Sequence, residues 1–366
     1  MAVLIFKIMR IVHLLWNLGT GGIETMLVDI ANCQVAVSER HQVCIIVVND
    51  VINEEVLNKI DPLVKVLQCG RKAKSRSLAP IIRLNNYLLK YRADVMHFHA
   101  PGINKMVLIP CKKVLTIHTT GYKSDIGKGF DRLYAISNSV REEWLAQGVN
   151  TTVVANGIPC TDIAVKEKYW TGDGVFKIIQ VSRISLYHKG QDLLVKAVAK
   201  LRDAGISNVQ ITFVGDGEDM PQLKETVSAC GLEDAVVFLG LRDRNWVYPH
   251  LKDFDLFVQP SLFEGFGLTV AEACTACLPV LVSENEGPLE IICNGKYGAT
   301  FKNKDINDLA AKLNLLVEGD YARLVSMTTE AREHVLNTYD VHITANKYLD
   351  EYAKIVPMFE TKIKME

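Results

Sequence analysis

The sequence predicts an α/β protein made of two successive Rossmann-like halves, each a parallel sheet wound with helices. Three observations carry this. Short apolar runs alternate with amphipathic stretches from end to end, the order that βαβ units require. The pattern breaks once, near 157–174, where Pro159, Gly172 and Gly174 sit in a polar irregular segment, and then restarts. The 366 residues are also enough for two domains of ordinary size.

Taken in order, Ile8–Trp16 is a continuous apolar run, the mark of a strand buried on both faces of a parallel sheet. A loop at Asn17–Gly22 leads into a helix whose apolar spacing falls on Met26, Leu27, Ile30 and Ala31. Strands are expected at Val43–Val48, Val64–Gln68, Val95–His99, Lys113–Ile117, Arg132–Ile136 and Thr152–Val154, with helical stretches between them. After the break come a strand at Lys177–Ser182, a helix at Gly190–Ala204, a strand at Gln210–Val214 and a helix at Met220–Ala229. Strands at Val236–Leu239 and Leu256–Gln259, a helix at Leu268–Ala276, a strand at Pro279–Val282 and a helix at Ile306–Glu318 follow. A last helix near Thr344–Ile355 carries Tyr348, Leu349, Tyr352 and Ile355 on one side. The expected division is a first domain over 1–160, a linker over 161–174 and a second domain over 175–343. Residues 344–366 are set apart as a C-terminal segment whose helix could pack on either domain, with the first as the one named. Ligands of wound sheets bind at the carboxyl ends of strands, so facing sheets are expected to share an interdomain cleft.

Composition removes several function classes. The 49% hydrophobic and 23% charged content is that of a folded protein, and a net charge of -1 lacks the electrostatic footprint of a nucleic-acid binder. The charge is uneven: residues 1–160 hold 19 Lys and Arg against 12 Asp and Glu, and the remainder holds 22 against 30. Nine scattered cysteines read as free thiols of a reducing compartment. Cys274 and Cys277 form a CxxC, but no second pair or nearby histidine completes a zinc site. Met1–Met9 is interrupted by Lys7 and lacks a cleavage site, so no secretory signal is expected. No apolar run reaches the roughly 18 residues of a spanning helix. The expected location is the cytoplasm.

The strongest constellation is Glu264-Gly-Phe-Gly-Leu-Thr-Val-Ala-Glu272, which leaves a strand and enters a helix. Gly265 and Gly267 let backbone approach a ligand on either side of Phe266. The N–H groups of Leu268 and Thr269 open a helix N-terminus, a place suited to a diphosphate. Glu272 lies about one turn into that helix, where a carboxylate can accept from sugar hydroxyls. A glutamate pair by itself is usually two solvated or capping residues.

With this constellation in place, the chain resembles the retaining glycosyltransferases of family 4, over nearly its whole length. Glu264 and Glu272, after Pro260-Ser261, match the family's E-x7-E pattern. Val181-Ser-Arg183 with His188-Lys189-Gly190-Gln-Asp resembles the segment whose Arg and Lys grip the donor's diphosphate; Ser182 stands where glycine is commoner. Phe213-Val-Gly215-Asp-Gly217 and Phe238-Leu-Gly240-Leu-Arg242 resemble the strand ends around the donor, with Arg242 beside the base. Gly21-Gly22-Ile-Glu24 resembles the glycine loop facing donor and acceptor. Asp94-Val-Met-His97-Phe-His99, Val114–His118 and Val153–Gly157 match further strand ends. At least one of His97 and His99 reads as structural. His118 takes the place of the residue touching the transferred sugar or acceptor, although Thr119 follows it where the family often has Asp.

The resemblance implies the GT-B fold and transfer of a sugar from a nucleotide-sugar to a glycan or lipid-linked acceptor, with retention of configuration. Cell-surface polysaccharide synthesis is the implied setting. Arg183, Lys189 and helix amides would meet the leaving charge, Glu264 a hydroxyl of the donor sugar and Glu272 the ribose. Domain closure would then bring Gly21, Gly22 and His118 onto the sugar. No cofactor or metal is expected, and Asp253-Phe-Asp255 reads as structural because it opens a buried strand. Two other readings stand beside transfer: a nucleotide-sugar epimerase of the same fold, and an inactive sugar-nucleotide-binding relic. Arg71, Lys72, Lys74 and Arg76 lie in a polar connection that is either a solvated loop or a contact for anionic lipid on the inner face of the plasma membrane.

Overall fold

The computed structural model describes residues 8–37 and 41–356; the expectation for Met1–Lys7 lies outside them, as do residues 357–366. The chain forms two compact units, one of residues 1–157 with 341–366 and the other of residues 158–340. Each contains one all-parallel sheet among the described residues.

In the first unit the chain runs β1 (Arg10–Leu15), α1 (Gly22–Val37), β2 (Gln42–Asn49), a short α2 (Glu54–Leu57), β3 (Lys65–Arg71) and α3 (Ala79–Tyr91). It continues through β4 (Val95–Phe98), β5 (Lys112–Ile117), β6 (Arg132–Ala135), α4 (Asn138–Ala146) and β7 (Thr152–Val153). The sheet order is β3-β2-β1-β4-β5-β6-β7. Apart from Arg10 and His13, β1 is apolar throughout because both of its faces are covered. Ile11 and Leu15 join the core under α1, while Val12 and Leu14 join the core under α3 with Leu84 and Leu88. Arg71 ends β3 rather than lying in the polar connection expected for it. Its guanidinium sits 5.5 Å over the Trp16 ring and 3.4 Å from Asn49 Oδ1, so backbone pairing and stacking fix it there.

The second unit runs β8 (Phe176–Val181), α5 (Leu186–Lys189), α6 (Gln191–Asp203), β9 (Val209–Val214), α7 (Met220–Ala229), β10 (Val236–Gly240) and α8 (Arg244–His250). Then come β11 (Leu256–Gln259), α9 (Leu268–Thr275), β12 (Val280–Ser283), α10 (Glu286–Ile291), β13 (Ala299–Phe301), α11 (Ile306–Leu315), α12 (Tyr321–Ser326) and α13 (Thr328–Thr338). Its sheet order is β10-β9-β8-β11-β12-β13. Residues 161–174 hold no regular element beyond the 3-10 turn of Cys160–Asp162, yet they pack as part of this unit. Lys166 N donates to Ala276 O at 2.8 Å, Tyr169 Oη to Cys277 O at 3.2 Å, and Trp170 meets the Phe176 ring edge-on.

The last helix, α14 (Val341–Ile355), belongs to the first unit. Ala345, Tyr348, Leu349 and Tyr352 complete the core beside α1, and the two hydroxyls enter a buried polar network. Tyr352 Oη lies 2.5 Å from His97 Nδ1, His97 Nε2 lies 2.6 Å from Thr116 Oγ1, and Thr116 Oγ1 lies 2.9 Å from Tyr348 Oη. A buried polar group without a partner costs far more than a made bond gains. Tyr352→Phe is therefore expected to destabilise the protein by about 1–3 kcal/mol, since it orphans His97 Nδ1. Tyr352→Ala is expected to cost about 3–5 kcal/mol through the added cavity, with urea unfolding as the measurement.

Candidate functional site

In a wound parallel sheet the crevice for a ligand opens where the strand order reverses. That point lies between β1 and β4 in the first unit and between β8 and β11 in the second. The chemistry-bearing segments follow those strands: Gly21 and Gly22 leave β1, His99 leaves β4, Arg183 to Lys189 leave β8, and Pro260 to Gly267 leave β11. His118 follows β5, one strand further on.

In the second unit these segments are drawn into contact by backbone. Leu262 N donates to His188 O at 2.9 Å. At Gly190, φ is +62° and a Cβ would stand 2.2 Å from Pro260 O, so only glycine allows the exit of β11 to lie on the end of α5. The result is a polar chain. Lys189 Nζ meets Glu264 Oε2 at 2.5 Å, Gln259 Nε2 donates to that same oxygen at 2.8 Å, and Thr269 Oγ1 donates to Gln259 Oε1 at 3.1 Å. The Lys189 and Glu264 side chains are 21% and 16% exposed, so their attraction is screened less than that of a surface pair.

The E-x7-E segment takes the turn its sequence predicts. Gly267 precedes α9, and Val270 is the first amide of that helix to reach an intrahelical carbonyl, Gly267 O at 2.9 Å. The amides of Leu268 and Thr269 therefore belong to the helix end that presents positive potential. Phe266 is buried edge-on against Tyr339, and Gly265 lies in the turn between it and Glu264. Glu272 is 6% exposed on α9 and accepts from Tyr248 Oη at 3.1 Å. Arg183 is exposed at the end of β8 with no ion pair among the described residues. Arg242 is not drawn into this group: it lies beyond the edge strand β10, with Nη1 on its own Leu241 carbonyl.

Two supporting residues escape the sequence reading. Gln259 orients Glu264, and its signal is a lone amide closing an otherwise apolar strand. Gly287 in α10 underlies the turn, where a Cβ would fall 2.6 Å from Phe266 N and 2.7 Å from Glu264 O. Asp255 is tied by Lys166 Nζ at 3.5 Å and by the Lys177 amide at 3.0 Å, which gives it a structural task. Cys274 is buried in α9 with its thiol pushed up to about 12 by burial, and Cys277 lies just past the helix end.

In the first unit, Gly21 and Gly22 are exposed at the start of α1, where Gly21 O accepts from Thr25 N at 3.1 Å. Four histidines gather at the ends of β1, β4 and β5. His13 Nδ1 lies 3.0 Å from His99 Nε2, and His99 Nδ1 lies 3.3 Å from His118 Nε2. Burial lowers all four: His13 and His118 to about 4, His97 and His99 well below the usual imidazole range. They are neutral rings near pH 7. His13, His97 and His99 are close enough to share a metal ion, yet both ring nitrogens of His13 and of His97 lie against protein partners. A cavity of about 630 Å³ lined by Asp131, Arg132, Thr152 and Glu351 opens at the amino ends of β6 and β7, away from the strand ends that bind ligands.

Comparison with known proteins gives the family. Residues 164–334 match the model for glycosyl transferases group 1, and residues 20–162 match that for glycosyltransferase family 4. An N,N'-diacetylbacillosaminyl-diphospho-undecaprenol alpha-1,3-N-acetylgalactosaminyltransferase of Campylobacter jejuni is 31% identical over 198 residues, 52% of this chain and 49% of that protein. An amylovoran biosynthesis glycosyltransferase of Erwinia amylovora is 30% identical over 173 residues, 46% of this chain and 42% of that protein. The chain thus spans about half the length of the curated relatives it matches. Among solved structures, a Rickettsia africae glycosyltransferase superposes with a TM-score of 0.78 at 17% identity, covering 97% of this chain and all of that one. The Anabaena protein HepE in complex with UDP and glucose does so with a TM-score of 0.76 at 20% identity, covering 94% and 99%. Two Rossmann-like units of the GT-B fold, matched in turn by the two family models, make this chain a member of the family 4 glycosyltransferases.

Proposed function

We propose that the chain transfers a sugar from a nucleotide-sugar to a glycan or lipid-linked acceptor, with retention of configuration and without a metal. The observation that carries the reading is the Lys189–Glu264–Gln259 cluster between the ends of β8 and β11, with the buried Glu272 about one turn into the helix that follows. The leaving nucleoside diphosphate needs positive charge in a partly desolvated place. Lys189, the exposed Arg183 and the first amides of α9 supply it as fixed charge and dipole, which lowers the barrier with little rearrangement. A diphosphate that draws on Lys189 competes with Glu264 for the ammonium and frees a carboxylate oxygen for a hydroxyl of the donor sugar. Glu272, oriented by Tyr248, accepts from the ribose.

The names of relatives support the same direction. The Campylobacter jejuni protein is named for a diphospho-undecaprenol substrate, and HepE was solved with UDP and glucose. Incubating the full chain with labelled nucleotide-sugars, lipid-linked acceptors and a chelator tests the reading. Transfer that requires an acceptor, survives chelation and falls at least about a hundredfold in Glu264→Ala is the expected result. Conversion of the donor without acceptor indicates epimerisation instead, and wild-type transfer by a folded Glu264→Ala protein removes Glu264 from the machinery.

The same reading includes peripheral membrane contact by the first unit. No helix among the described residues is long and apolar enough to cross a membrane. Leu78 at the N-cap of α3 and Ile82 and Leu89 on it are 67%, 59% and 60% exposed, at spacings that put them on one side of the helix. Asn85 bonds to Met106 O at 2.9 Å and to Leu108 N at 2.7 Å, which seats the exposed Leu108 beside that stripe. Lys72, Lys74 and Arg76 are exposed just before the helix. Sedimentation with vesicles of phosphatidylglycerol and phosphatidylcholine is expected to capture the protein. Replacing those three cations with serine should weaken capture roughly a hundredfold, at about 1 kcal/mol per charge. Capture indifferent to both the substitutions and salt contradicts this contact.

A further inference from the structure

The histidine chain of the first unit has a direction, and that direction sets what His118 can offer to a substrate. Gln34 on α1 is fully buried, and its Oε1 lies 2.8 Å from His13 Nε2. The chain then runs through His13 Nδ1 to His99 Nε2 at 3.0 Å and from His99 Nδ1 to His118 Nε2 at 3.3 Å. It ends at His118 Nδ1, a solvent-shielded nitrogen with no hydrogen-bond partner among the described residues.

A neutral imidazole carries one N–H and one lone pair, so each ring must donate on one side and accept on the other. Three neutral rings in series therefore have two self-consistent arrangements, all Nε2–H or all Nδ1–H. An amide oxygen only accepts. With Gln34 Oε1 at its head, His13 donates from Nε2 and accepts at Nδ1, His99 does the same, and His118 donates from Nε2. The lone pair of His118 Nδ1 is left over. With Gln34 Oε1 turned toward His13, the reverse order would set two lone pairs against each other there.

We propose that Gln34, His13 and His99 are positioning residues that hold His118 as its Nε2–H tautomer, so that its shielded Nδ1 carries a lone pair and can only accept a hydrogen bond, from a substrate hydroxyl once that nitrogen is uncovered. The hydroxyl-bearing substrate rests on the transferase reading; the tautomer does not. Its setting also separates two kinds of histidine in the cluster. His97 is closed by Tyr352 and Thr116 and serves the packing of α14, whereas His99 passes the order of the chain from His13 to His118.

The test is a two-bond 15N–1H correlation spectrum of the full chain labelled at histidine, near neutral pH, with peaks assigned by single histidine substitutions. The expected spectrum shows His13, His99 and His118 all protonated at Nε2. In Gln34→Met, close in shape but without an amide oxygen, His118 is expected to lose at least half of its Nε2–H signal to the other tautomer. If that variant fails to fold, Gln34→Leu with native circular dichroism serves the same comparison. A wild-type His118 protonated at Nδ1 overturns the proposal. So does a folded Gln34 variant in which His118 keeps the Nε2–H form in full. The spectrum needs no turnover, so absence of glycosyl transfer would count against the proposed function alone and leave this result standing.

Discussion

The constraint on which both units depend is that a parallel strand covered on both faces has little room for polar groups except at its ends. Helices bury the middle of β1 from two sides, and the same holds across the second sheet. Polar side chains that remain inside must satisfy one another, as His97, Thr116, Tyr348 and Tyr352 do. Chemistry is therefore displaced to the carboxyl ends, and most of all to the points where strand order reverses. The grouping of Lys189 with Glu264 follows from that geometry before any ligand is considered.

The two units use the same device to prepare those ends. In each, a glutamine amide stands behind the polar side chains at those ends. Gln259, oriented by Thr269, donates to Glu264, and Gln34 accepts from His13 at the head of the chain to His118. An amide fixes the sense of a hydrogen bond without adding charge to a desolvated place. Backbone contact does the rest of the positioning, at Gly190 against Pro260 and at Gly287 beneath Phe266.

Much of this was legible in the sequence. Every strand expected from an apolar run is present, and Met220–Ala229 and Leu256–Gln259 end where the pattern ends. The E-x7-E turn was legible because glycine, helix start and carboxylate are all local features. Less legible were features that depend on distant partners. β13 is a three-residue strand with too little sequence to show a period. Arg71 looks like part of a charge run, yet pairing with β2 places it in a strand over Trp16. The 161–174 segment looks like a linker by composition, while Tyr169 and Trp170 give it a packed face. His13 and Gln34 do not stand out in the sequence, and only the fold puts them 2.8 Å apart.

The central claim is that the end of the second sheet is a nucleotide site in which Glu272 is a ligand. Titration calorimetry of UDP, GDP and ADP into metal-free wild type and Glu272→Ala tests it most directly. The account predicts that one nucleotide binds and that Glu272→Ala weakens it at least about tenfold, the worth of a hydrogen bond to a charged group. No binding by any of the three, or binding indifferent to Glu272, would contradict it.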